Sequence, residues 1–192
     1  MMEERIRKEK ELLRLQIGRR EAELSQEEIC SSDRDIVKNL LSLPEFTRAR
    51  TLMLYMPFRR EVDIRQAARR ALEQGKAVGF PVILPGRQMC CRRWTGGPMQ
   101  QGVYRIPVPG EDEEEMAPDR LEFILVPAVC YDARGGRLGR GAGYYDRFLK
   151  RTGAVRAGVC REALMAQRVP EEEHDCRVDI VITERRILRL SN

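Results

Sequence analysis

The apolar run LEFILV at residues 121–126, closed by Pro127, is the feature that most restricts the fold. Its side chains do not alternate as those of a half-exposed strand do, so it reads as a strand buried on both faces. Residues 51–56, 77–84, 154–160 and 179–183 offer further strands, and 89–94 a weaker one. A helix follows residue 63, with Asp63 and Gln66 as candidate caps and Gly75 as its stop. Strands alternating with helices imply an α/β chain whose largely parallel sheet is covered by helices on both faces. At 192 residues the expectation is a single domain spanning 1–192.

The first 43 residues have a different texture. Ile6, Leu13, Ile17 and Leu24 fall on one side of a helix over residues 3–24. Ser25 and Glu28 then form a capping box ahead of Ile29, Ile36, Val37 and Leu40, and Pro44 ends the pattern. This N-terminal helical segment is expected to pack on the sheet domain. Residues 95–119, rich in Gly, Pro and acids, form the longest irregular stretch, either disordered or a binding lid.

Composition removes several functional classes. Hydrophobic residues make up 42% and charged residues 34% of the chain, as in ordinary globular proteins. The net charge of +5 is spread among interleaved acids, which describes a solvated mixed-charge surface better than a nucleic-acid footprint. No run of about 18 apolar residues exists to cross a membrane. The N-terminus lacks the apolar core of a signal peptide, so a cytoplasmic protein is expected. Six cysteines without a C-x-x-C pair suggest reduced, mostly buried thiols. The single histidine, His174, rules out a multi-histidine zinc site and leaves carboxylates to hold a metal, which suits magnesium.

Chemistry concentrates in residues 126–150, VPAVCYDARGGRLGRGAGYYDRFLK. Gly139, Gly141 and Gly143 alternate, with Arg137 and Arg140 among them and Asp146 just beyond two tyrosines. Glycines let backbone N–H groups close on an anion, the following helix start adds its dipole, and arginine forks contact phosphate oxygens. Three glycines also suit a purely structural turn, and the segment is no Walker A loop. The arginines, tyrosines and aspartate tip the reading to a phosphate site with magnesium at Asp146.

The string RLGRGAGYYDR at residues 137–147 resembles the signature of 5-formyltetrahydrofolate cyclo-ligases. KELLR near Lys10 and Arg14, YMPFRREVD at 55–63, IPVPG at 106–110 and VPEEEHDCRVD at 169–179 match in register, so the likeness spans nearly the whole chain. Two departures stand out. Ala142 replaces a lysine found in the loop of some relatives, and Cys130 and Tyr131 replace a small residue and a phenylalanine.

The resemblance implies ATP-dependent conversion of 5-formyltetrahydrofolate to 5,10-methenyltetrahydrofolate with release of ADP and phosphate. It places Lys10, Arg14, Arg137, Leu138, Gly139, Arg140, Gly141, Ala142, Gly143, Tyr144 and Tyr145 on ATP. Met56, Glu61, Tyr104, Arg140 and Tyr144 fall to the folate, and Asp146 and Asp175 to magnesium; Arg140 and Asp146 are the catalytic candidates. The resemblance names no further partner, nucleic acid and membrane included, and a monomer is expected. Read without it, Lys10 and Arg14 are also a solvated helix face, Glu61 a loop charge, Met56 a core residue and Asp175 an ordinary turn residue. A different phosphate-using enzyme and a basic nucleic-acid-binding protein are the two alternatives.

Overall fold

In a computed structural model, which describes residues 2–190, the chain opens with helix α1 (Met2–Glu23). Helix α2 (Gln26–Ser42) follows, and both hydrogen bonds of the Ser25–Glu28 capping box are formed. Pro44 ends α2 and then starts a short helix, α3 (Pro44–Arg48), since proline at the first turn forfeits no helical hydrogen bond. Strand β1 (Thr51–Met53) stops three residues earlier than expected. Leu54 still bonds Gly79, but Pro57 has no N–H to extend a ladder, and residues 54–62 become a loop. Helix α4 (Arg65–Glu73) has Ile64 at its N-cap without a side-chain bond. Asp63, one residue earlier, accepts the Arg65 N–H, Gln66 lies inside the first turn, and Gly75 follows the end with φ +76°.

A hairpin comes next, β2 (Ala77–Leu84) and β3 (Gln88–Trp94). Residues 95–119 are ordered rather than disordered. They form a second hairpin, β4 (Gln100–Gln101) with β5 (Pro107–Val108), and then β6 (Glu115–Met116), which pairs with β3. The hairpin tip holds Tyr104 and Arg105 at φ +58° and +60°, two consecutive left-handed residues of the kind a tight hairpin turn requires. Strand β7 (Phe123–Val126) is followed by a two-residue pair, β8 (Cys130–Tyr131) and β9 (Arg137–Leu138), and then by helix α5 (Tyr144–Leu149). Strands β10 (Val155–Val159), β11 (Ile180–Ile182) and β12 (Ile187–Arg189) complete the chain.

Eight strands form one sheet in the order β12-β11-β10-β7-β1-β2-β3-β6. The central five, β11 to β2, are parallel, and the antiparallel strands sit outside them. Period-two alternation divides the core. Leu52, Phe123, Leu125, Ile180 and Ile182 face α2, α3 and α4, while Met53, Ile124, Val126 and Val181 face Ile17 of α1 and Phe148 of α5. Both faces are covered, so the central strands need no polar side.

All six cysteines are free; four are buried, Cys30 is exposed and Cys176 lies between. Burial pushes the Cys130 and Cys160 thiols up to about 12, which leaves them unreactive packing groups. Among the described residues no helix is long and apolar enough to cross a membrane.

Gly158 shows how tightly the sheet is filled. A Cβ there would lie 2.2 Å from Cζ of Tyr131, whose ring is buried and whose hydroxyl donates to the Val126 carbonyl. Gly158→Ala is expected to lower unfolding stability by about 1–3 kcal/mol through overpacking. Urea denaturation measures this, and an unchanged midpoint would show that the ring can move aside.

Candidate active site

The chain passes from β1 to β2 on one side of the sheet and from β7 to β10 and β11 on the other. The strand order therefore reverses between β1 and β7, and segments leaving the carboxyl ends of such neighbours diverge and open a crevice. A cleft of about 790 Å³ lies there, lined by residues that follow β1 (Tyr55, Met56, Phe58, Glu61) and β7 (Pro127, Ala128). All sixteen site residues expected from the sequence line this one cleft, from Lys10 to Asp175.

The glycine loop forms one wall. Its ends are tied by Arg137 at the start of β9 and Asp146 in the first turn of α5, 2.5 Å apart. Asp146 also accepts the Cys176 N–H at 3.2 Å. Burial works to raise the Asp146 carboxyl, but the charge and hydrogen bond of Arg137 outweigh it and hold the group below the usual carboxylate range. Between these ends Gly141 and Gly143 take φ +95° and +69°, which other residues adopt only under strain. The backbone N–H groups of residues 140–143 have no acceptor among the described residues. Helix α5 has only six residues, so its dipole adds little, and these N–H groups with the arginines carry the attraction for an anion. The Tyr145 hydroxyl and Arg137 Nε are buried beside each other's side chains without a protein partner.

Helix α1 forms the second wall, and here the solvated-face reading of Lys10 fails. Lys10 is 7% exposed, with Nζ 2.6 Å from Glu172 and 2.5 Å from Asp175. One turn later Arg14 Nε donates to the Gly139 carbonyl at 2.9 Å, docking the helix on the loop. Glu172, His174 and Asp175 bring their ligand atoms within 4.8 Å of one another. Asp175 is thus grouped with Glu172 and His174, while Asp146 stands apart from that trio with Arg137. Glu172 and Asp175 offer the hard carboxylate oxygens that magnesium takes, and Lys10 is the cation that balances them in this structure.

The third wall joins the loop to an apolar pocket. Arg140 Nη2 lies 3.0 Å from Glu61 Oε1, and the guanidinium sits 5.0 Å above the Phe58 ring. Glu61 Oε2 accepts the Phe58 N–H at 3.0 Å. Burial raises the Glu61 carboxyl, and its hydrogen bonds and the Arg140 charge only partly offset that. Met56, Phe80, Ile83, Met89, Ile106 and Val108 line the pocket, with Tyr104 61% exposed at its mouth.

Sequence reasoning missed Phe58, Glu172 and His174, although all three lie inside the segments that carried the resemblance. The signal for Glu172 was present in the run of three glutamates at 171–173, but no spacing rule says which member turns inward. The apolar wall from β2 and β3 was read only as strand.

The sequence pattern of the 5-formyltetrahydrofolate cyclo-ligase family matches residues 6–184. The chain is 32% identical over 147 residues to the 5-formyltetrahydrofolate cyclo-ligase of Mycolicibacterium smegmatis, covering 71% of this chain and 75% of the relative. It is 27% identical over 188 residues to that of Mus musculus, covering 90% and 92%. Among solved structures, 5,10-methenyltetrahydrofolate synthetase of Aquifex aeolicus superposes with a TM-score of 0.86 at 33% identity, covering 95% of this chain and 93% of the other.

The raised Glu61 carboxyl has a consequence for stability. A group whose folded pKa exceeds its unfolded value costs nothing below the unfolded value, and its ionised form weakens the fold above the folded one. The cost therefore grows as pH rises from 4 toward 7. Glu61→Gln is therefore expected to keep or raise the thermal midpoint at pH 7, with the difference from wild type vanishing near pH 4. Thermal unfolding at both pH values tests this; a midpoint lowered at pH 7 would show that the Arg140 pair outweighs the burial cost.

Proposed function

The chain belongs to the 5-formyltetrahydrofolate cyclo-ligase family, and from that premise we propose that it converts 5-formyltetrahydrofolate and ATP to 5,10-methenyltetrahydrofolate, ADP and phosphate. The observation that carries the reading is the Arg140–Glu61 contact, which joins an anion-binding loop to an apolar pocket in one cleft. A reaction that moves a phosphoryl group onto the formyl oxygen of a ring-bearing substrate needs that adjacency.

The chemical difficulty is that a formamide oxygen is a poor leaving group. In the proposed course the formyl oxygen attacks the γ-phosphorus and ADP departs. N10 then adds to the activated formyl carbon, its proton passes to solvent, and the carbon–oxygen bond breaks with phosphate as the leaving group. Both steps depend on positioning and on stabilising charge at the moving phosphoryl group.

The residues divide by chemistry. Lys10, Arg14, Arg137 and the backbone of residues 138–145 hold the phosphates. Arg140 reaches the transferring group and the folate together. Met56, Tyr104 and Tyr144 cover the folate ring, and Glu61 takes its polar edge. Asp175, with Glu172 beside it, and Asp146 from its separate place next to Arg137 would hold magnesium, which when bound would neutralise phosphate charge.

The test is the rise in methenyltetrahydrofolate absorbance when purified protein meets 5-formyltetrahydrofolate and magnesium-ATP. Omitting either ATP or magnesium should abolish it. Arg140→Ala is expected to lower kcat by about 10²-fold or more, as for loss of a donor aimed at transition-state charge. A flat trace from folded, ATP-binding protein would overturn the folate assignment, and an undiminished kcat would remove Arg140 from the chemistry.

A further inference from the structure

Glu61 sits on a loop, and a loop side chain is only as well placed as its backbone. The segment around it is gripped by buried groups from distant parts of the chain. Arg161 leaves the carboxyl end of the sheet two residues after β10 and is 3% exposed. Its Nη1 donates to the Arg60 carbonyl at 2.7 Å, its Nε to the Ser32 hydroxyl at 3.1 Å, and its Nη2 to Asp33 Oδ1. The other oxygen of Asp33 accepts the Asp63 N–H at 3.2 Å. One buried ion pair therefore holds the backbone on both sides of Glu61, at residues 60 and 63. The Tyr55 hydroxyl adds a third hold at the Val62 carbonyl, 2.8 Å away.

The grip has something to resist. A cavity of about 50 Å³ adjoins the loop, lined by Arg60, Glu61, Val62, Arg161 and others, and gives the unheld segment room to sink. An ion pair out of water is a poor source of stability, because desolvation consumes most of its attraction. A planar fork that fills three acceptors at fixed angles is instead suited to holding geometry.

We propose that the buried Arg161–Asp33 pair is a positioning device for the folate subsite, setting Glu61 through the backbone at residues 60 and 63. The proposal rests on the folate reading of this cleft. Its action is local to the loop after β1, so the phosphate half, held by Arg137 and Asp146, is left in place.

The experiment compares Arg161→Lys and Asp33→Asn with wild type. A lysine ammonium is a single point without the spread of the guanidinium fork, so it cannot serve all three acceptors. The Asp33→Asn side chain keeps an acceptor for the Asp63 N–H while losing the charge. Amide hydrogen exchange over residues 58–63 is measured on unliganded protein, and KM is measured separately for 5-formyltetrahydrofolate and for magnesium-ATP. Exchange should quicken about tenfold or more, and the folate KM should rise by a similar factor, as expected when a charge-assisted hydrogen bond is lost. The ATP KM should rise by much less than the folate KM, because only Arg140 joins the phosphate half to this loop while Lys10, Arg14, Arg137 and the glycine-loop backbone are held elsewhere. The double variant should shift the folate KM by less than the product of the single effects, because the two residues act as one unit.

A purely structural pair would instead lower the thermal midpoint and the active fraction with both KM values unchanged, and that result would overturn the proposal. Unchanged exchange in folded variants would overturn it as well, whatever the kinetics. Should wild type fail to turn over 5-formyltetrahydrofolate, the folate reading falls while the exchange measurement still decides whether the pair positions the loop. Asp33→Asn keeps the question decidable if Arg161→Lys does not fold.

Discussion

The bond between Arg137 and Asp146 is the constraint on which the site is built. It closes the glycine loop at its base, so the eight residues between are held at both ends yet left with unsatisfied backbone donors. Both partners are largely removed from water, Arg137 most of all. A buried pair of this kind offers little net stability, since the desolvation of two charges offsets their attraction. Its return is geometric: β9 and α5 are fixed relative to each other, and Asp146 carries the constraint on to Cys176 and so to the neighbouring Asp175. Arg14 then clamps the loop from the far side through the Gly139 carbonyl.

The topology decides what this loop faces. Because strand order reverses between β1 and β7, the segments after those two strands part and leave a cleft bounded by β2 and β3. The strand walls are apolar because β2 and β3 pack side chains toward both the core and the cleft. The loop wall is polar because glycines expose backbone. Two chemically unlike half-sites meet at Arg140 and Glu61, the point at which a phosphoryl group would have to cross from one to the other.

Legibility in the sequence followed the range of the interactions. The Ser25–Glu28 box and the strand within 121–126 were readable because the signal lies within a few residues. The glycine segment was readable because its composition is unusual, and the family resemblance carried the remaining site residues. The stretch 51–56 overshot because an apolar run does not show where a ladder ends; the proline at 57 was the available clue. Strands β8 and β9 escaped notice because two residues carry no periodicity and owe their form to each other. Arg161 and Asp33 were invisible for the strongest reason: 128 residues separate them, and nothing local marks either as buried.

The charges of the cleft lead to one more step. Six lysines and arginines and five carboxylates line it, so it is nearly neutral as a whole. Lys10 is matched by Glu172 and Asp175, Arg137 by Asp146 and Arg140 by Glu61. Net charge therefore offers little pull on a triphosphate; among the described residues the unpaired Arg14 and Arg59 and the free N–H groups of the glycine loop would meet it first, and the paired cations would add to them only as their carboxylates let go. Carboxylates released in such an exchange would need a new counterion, and hard oxygens beside phosphates would favour magnesium over any soft metal. Glu61 differs from the others, since burial already disfavours its charge and a neutral polar edge can replace Arg140 at little cost. In the proposed reaction, folate at Glu61 and phosphate at Arg140 would relieve the same ion pair from its two sides.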